Sequence, residues 1–188
     1  DDADNGIEAD NNEFNNNLLP RSNPQIYNLT MCGDPDRNEG AESIRAANLR
    51  RGTAFTIRNF LITGFKTTGF QIETTNTATT GQVESGVSHM DAGVAWGIAT
   101  PLHASVTAFV TRNLFTNIRT GVTDAQAGIS AAECANHESP NFQPTSAATL
   151  AGGQIAPVQP PNDGFFSPVT YIGAVPPAPA ENWMAGWT

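Results

Sequence analysis

The sequence is short of positive charge, of charge altogether, of cysteine and of long apolar runs. Nine Lys and Arg face 18 Asp and Glu, a net charge of −9. Phosphate backbones are bound by clustered cations, so nucleic acid is excluded as a natural partner. Only 14% of the residues are charged, well under the usual quarter or so. Polarity falls instead to Asn, Thr, Ser, Gln and Gly, residues that suit strands and turns better than solvated helices. No apolar stretch reaches the ~20 residues that span a bilayer. The longest, Val94 to Val110, is broken by Pro101 and His103. The three histidines, His89, His103 and His137, stand far apart without HExxH or HxH spacing, and read as surface or turn residues. There is no GxSxG elbow and no GxGxxG or GxxxxGK[ST] phosphate cradle.

Two cysteines, Cys32 and Cys134, are the whole thiol inventory, and neither belongs to a CxxC pair. Zinc and thioredoxin-like chemistry are therefore excluded. In an oxidising compartment the two can join in one disulfide. In a reducing one they are two buried thiols.

What is present is a series of short strand-like runs. Gln25–Cys32, Ser43–Leu49, Ala54–Phe65 and Gly69–Thr74 carry β-branched and aromatic residues at near-alternate positions, as in Phe55 and Ile57 or Phe70 and Ile72. Gly, Pro, Asp or Asn punctuates most of them. TAFTIRNF at 53–60 returns as TAFVTRNL at 107–114, six of eight positions matching when Phe and Leu are equated. An Asn followed by an apolar residue recurs at Asn28, Asn48, Asn59 and Asn113. The spacing is irregular. It fits a β-helix solenoid whose turns carry insertions, in which Asn28, Asn59 and Asn113 occupy αL corners and form a structural ladder. The polar stretch 75–86 reads as a loop, and the Ala-rich 124–137 as a short helix with Asp124 as its N-cap. Structure over 87–130 is not fixed by the pattern.

From Ser139 the chain turns Pro-rich and then aromatic. Residues 1–138 read as coils, and 139–188 as a strap of the same domain. Phe165, Phe166, Tyr171, Trp183 and Trp187 are too many large apolar groups for a free tail. They are expected to form a clamp covering an end or flank of the coil. The two tryptophans, four apart, can also make a sugar-stacking platform, although packing is the preferred reading.

The runs SNPQIYNLTMCGD, EGAESIRAANLRRGTAFTIRNFLITGF and PNDGFFSPVTYIGAV, with the closing NWMAGWT, resemble a group of bacterial secreted and cell-surface proteins of the pectin-lyase-like kind. The resemblance implies an all-β fold, a right-handed parallel β-helix, and export to the periplasm, outer surface or medium. It implies no reaction.

A calcium-dependent lyase needs a carboxylate cluster and a basic residue. The acidic opening, Asp1, Asp2, Asp4, Glu8 and Asp10, can hold calcium, and Arg45 and Arg58 lie on strand-like runs. Solvated turns explain the cluster as well. Asp34 and Asp36 sit in a turn rather than across a glycosidic bond. The polygalacturonase-type His-Gly and Arg-x-Lys signatures are missing. The expectation is a non-catalytic envelope scaffold with a protein partner. The alternative is a carbohydrate-binding or lyase-like module with a cell-surface glycan as ligand. The polar start is too weak to cover a coil end, so preceding coils or a partner are expected against residues 7–30.

Overall fold

The computed structural model describes residues 4–34, 43–146 and 154–186. Among these residues eight strands make two four-stranded parallel sheets, and the chain alternates between them. The first sheet contains β1 (Asn5–Asp10), β3 (Arg45–Arg50), β5 (Thr68–Ile72) and β7 (Thr100–Leu102), in that order. The second contains β2 (Gln25–Cys32), β4 (Thr56–Thr63), β6 (His89–Trp96) and β8 (Thr116–Thr120). Each successive pair of strands lies directly on the pair before it, and every pairing is parallel.

The second sheet bends along a line of left-handed residues. Asn28, Asn59, Ala92 and Asn117 have φ of 55°, 60°, 56° and 55°. They are the one position per strand skipped by the pairing register, lying between Tyr27–Arg58–Asp91–Thr116 on one side and Leu29–Phe60–Gly93–Ile118 on the other. Two rungs of the expected Asn ladder are thus Asn28 and Asn59. Asn113 is not a rung. It follows helix α2 (Ala104–Thr111), is exposed, and takes φ 56° just beyond the helix end, where its N–H meets Val110 O. TAFVTRNL is helical although TAFTIRNF is a strand. Val106, Phe109 and Val110 fall at helical spacing, and His103 and Ser105 cap the start. The fourth rung is Asn117.

The interior between the sheets is apolar. Leu49, Phe70 and Ile72 from the first sheet meet Ile57, Phe60, Ile62 and Met90 from the second. Phe60 and Phe70 pack edge to face at 4.9 Å. Gly93 makes room for this pair, because a Cβ there would fall 2.3 Å from the Phe60 ring. Gly93→Ala is expected to cost about 2–3 kcal/mol through overpacking. A urea melt against wild type checks it, and an unchanged midpoint would mean that the ring moves freely.

Past β7 the stack is covered by α2, whose Val106 and Phe109 join the core with Phe115, and Ser105 Oγ accepts the Ile72 N–H at 3.2 Å. At the opposite end β1 and β2 are edge strands. Their Ile7, Ile26, Leu29 and Met31 are only partly buried, whereas the residues they register with, Ala47, Ile57, Phe60 and Ile62, are buried.

The 75–86 stretch is also helical where a loop was expected: α1 (Thr77–Glu84) starts at Asn76, whose side chain accepts the Ala78 N–H, and buries Thr79 and Val83. The 124–137 segment forms two single turns, α3 (Asp124–Ala127) and α4 (Ala131–Cys134), separated by the left-handed Gly128. Thr123, not Asp124, is the N-cap of α3. Asp124 instead accepts the Trp96 indole N–H at 2.8 Å and the Ala131 N–H at 3.2 Å.

Candidate functional site

The outward side of the first sheet carries stacked polar and charged groups. Alternation along each strand sends Ala47, Leu49, Phe70 and Ile72 into the core and leaves the residues between them outside. The parallel register then stacks like positions. Glu8, Asn48 and Gln71 form one row, and Asp10 and Arg50 another. Glu73 follows on β5, with its carboxylate accepting the Arg51 N–H at 2.7 Å.

Opposite charges face one another across these rows. Arg50 Nε lies 2.8 Å from Asp10 Oδ1, and its other arm reaches Glu8. Arg51 lies 2.8 Å from Asp10 Oδ2 and 3.3 Å from Glu13. Arg45 is 4.0 Å from Asp4 and donates to Gln71 Oε1 at 3.1 Å. These pairs are half-exposed, so each contributes modestly to stability. They also link the rows through a network of donors and acceptors.

The calcium expectation rested on the same acidic residues. Asp4, Glu8 and Asp10 are turned to arginines of the next coil instead of converging on one point. No group of three or more His, Cys, Asp or Glu stands ready to hold a metal among the described residues. Asp1 and Asp2 lie outside the described residues, as does Asp36.

The expected bases are also engaged. Arg45 is paired as above. Arg58 lies 3.0 Å from Asp91, whose other oxygen accepts both the N–H and the hydroxyl of Thr116. The histidines stay apart: His103 caps α2, and His137 lies 3.1 Å from Asp34. The shifted ionisations belong to a separate surface pair. A hydrogen bond from Arg112 lowers the Glu84 carboxyl pKa, and Glu84 in turn raises that of Arg112.

Cys32 and Cys134 are joined in a disulfide with Cα atoms 5.7 Å apart, well within the usual range. The bond fastens α4 to the end of β2. Beneath this region Leu61, Val94 and Trp96 point outward from the second sheet and are covered by Ala127, Ile129, Ile155 and Ile172. Among the expected clamp residues the outcome is mixed. Tyr171 O accepts the Asn28 amide at 2.9 Å, and Phe166 packs on Tyr27 with ring centroids 5.1 Å apart. Phe165 and Trp183 are largely exposed, although the Trp183 indole donates to Ala174 O at 2.8 Å. Both belong to turns whose own hydrogen bonds set the backbone and leave the ring outside. Trp187 lies outside the described residues.

The family model of the pectate-lyase-like beta helix domain matches residues 1–188. The chain belongs to that family. No curated protein and no solved structure matches it. Sequence reasoning pointed to Arg45, Glu8 and Asp10 but missed Asn48, Gln71 and Arg50. The signal available was their polar character at alternate positions within otherwise buried strands.

Proposed function

We propose that this domain is an exported, non-catalytic module that contacts a polysaccharide along the outer face of its first sheet. The observation that carries the reading is the pair of stacked rows, Glu8–Asn48–Gln71 and Asp10–Arg50, which repeat polar groups at the strand spacing of about 4.8 Å. A polymer lying across the strands meets a fresh donor or acceptor at each step. Pectate-lyase-like membership supports a carbohydrate ligand. The Cys32–Cys134 bond supports an oxidising location. The winding is taken as right-handed, the hand of nearly all parallel crossovers. Binding is preferred over cleavage because the arginines of this face are committed to carboxylates.

The test is affinity electrophoresis through gels containing plant and bacterial polysaccharides, with and without a calcium chelator. Retardation is expected in at least one gel and is expected to survive chelation. Asn48→Ala with Gln71→Ala should weaken it by roughly tenfold, or about 1.4 kcal/mol, while the melt is unchanged. Retardation equal in the double variant, or absent with every polymer, overturns the reading. Release of unsaturated sugar products would overturn the non-catalytic part.

One observation favours a protein-contacting scaffold as a second role. Phe14 and Leu19 are exposed in the turn between β1 and β2. Crosslinking in intact cells, with Phe14→Ser as control, tests it. A partner lost in that variant supports the role, and no partner at all removes it.

A further inference from the structure

The geometry points to a second binding site, in the terminal segment, that takes a neutral saccharide. It does not depend on the first-sheet surface. A cavity of about 280 Å³ is lined by Gln159, Pro160, Pro161, Asn162, Phe166 and Pro168. That volume lies at the small end of ligand pockets and suits one or two sugar rings rather than a long polymer.

Next in the chain to the lining residue Phe166 is Phe165, with 84% of its surface in solvent. Its open face is free to stack against a ligand ring. The ring is also held in place. Asp163 Oδ1 accepts the Phe165 N–H at 2.9 Å and the Phe166 N–H at 3.4 Å, and Gly164 takes the left-handed φ of 82° that the turn requires. Phe165 packs edge to face on Phe166 at 4.9 Å, and Phe166 packs on Tyr27 of β2 at 5.1 Å. The aromatic row is thus anchored to the coil while its outermost face stays open.

The polar groups complete the chemistry. Gln159 is spent on structure, its amide donating to Val169 O and accepting the Val169 N–H. Asn162 is exposed and lines the same cavity as Phe166. An aromatic face next to a carboxamide matches a sugar ring, which offers a patch of C–H groups and vicinal hydroxyls to donate and accept. No charged side chain lines the cavity. Asp163 follows the lining residue Asn162 in the chain, and the whole chain carries −9. Uronates and other acidic sugars are therefore repelled, and a neutral ring is selected.

Isothermal titration of the full disulfide-bonded chain tests this, with neutral oligosaccharides (cello-, manno-, xylo- and chito-oligomers) against oligogalacturonate. At least one neutral oligomer is expected to bind, and the uronate is not expected to bind at this site. Phe165→Ala should weaken neutral-sugar binding by roughly tenfold and Asn162→Ala by roughly threefold. Urea melts should match wild type, because Phe165 contributes little burial. Binding that survives Phe165→Ala, or a preference for the uronate that this substitution removes, overturns the proposal. So does a concentration-dependent dimer that Phe165→Ala dissolves, which would make the ring a self-association contact. Loss in Asn48→Ala/Gln71→Ala with Phe165→Ala unaffected places all sugar binding on the first sheet and rejects this site. The converse rejects the first-sheet reading and leaves this one standing.

Discussion

Replacing Cys32 and Cys134 together by serine is expected to destabilise the domain by about 4–5 kcal/mol. The two residues are 102 positions apart. In the chain-entropy model a crosslink closing a loop of about 100 residues lowers the denatured-state entropy by an amount worth about 4.7 kcal/mol. That is a large fraction of the roughly 5–15 kcal/mol stability of a domain. The location adds to the effect. Cys32 ends β2 and Cys134 ends α4, so the bond ties the first coil to the segment that covers Leu61, Val94 and Trp96. Guanidinium titration of the oxidised protein and of the double variant, followed by Trp fluorescence, measures the difference. A large fall in midpoint with early exposure of Trp96 is the expected result. Coincident curves would mean that the covering segment is held by packing alone and that the denatured chain gains nothing from being released.

The same bond shows what the sequence could reveal. Two cysteines without a CxxC partner leave a single intramolecular pairing, and the structure realises it. The strands at 25–32, 45–50, 56–63 and 68–72 were legible because buried parallel strands alternate or run apolar, and these are rich in Ile, Leu, Phe and Thr. β1 was not legible. Asn5–Asp10 has one large apolar residue, Ile7, and finds its place through pairing with β3 and through the Asp10–Arg50 contact. α1 was lost for a related reason: TATTGQVE has no apolar stripe, and its helix rests on the Asn76 cap and the Thr79 hydroxyl, which accepts the Gly52 N–H at 2.8 Å. α2 lies in 87–130, which the pattern left open, and its TAFVTRNL echo pointed toward a coil because a strand and a helix can share eight similar letters. The preceding cap and the following fold decide between them. In the candidate site, the acidic run was visible but its partners were not, since pairing Glu8 and Asp10 with Arg50 requires knowing the register 40 and 42 residues away.

The ladder was half legible, and its central rung gives the second large prediction. Asn59→Ala is expected to cost about 3–4 kcal/mol. Asn59 has no solvent exposure. Its amide nitrogen uses both hydrogens, donating to Asn28 Oδ1 at 3.0 Å and to Val158 O at 2.8 Å, and its Oδ1 accepts the Val158 N–H at 2.8 Å. Removing the side chain strands these partners, at about 1–3 kcal/mol for buried groups left unpaired. It also leaves alanine at φ 60°, a left-handed conformation that costs about 1–2 kcal/mol without Asn or Gly. Asn59→Gly separates the two contributions, because glycine accepts the backbone geometry while still losing the amide. It should recover about 1 kcal/mol of the loss. The third rung, Ala92, already bears that backbone strain without an amide, so Ala92→Gly should stabilise where Asn59→Gly destabilises. Hydrogen exchange gives the spatial test. The Val158 amide bonds the Asn59 side chain, and the Gly173 amide bonds its carbonyl at 2.8 Å. In Asn59→Ala the Val158 amide should lose protection far more than Gly173. Equal protection of Val158 in the variant and wild type would show that the covering segment does not depend on the ladder, and that Asn59 serves only the bend in its own strand.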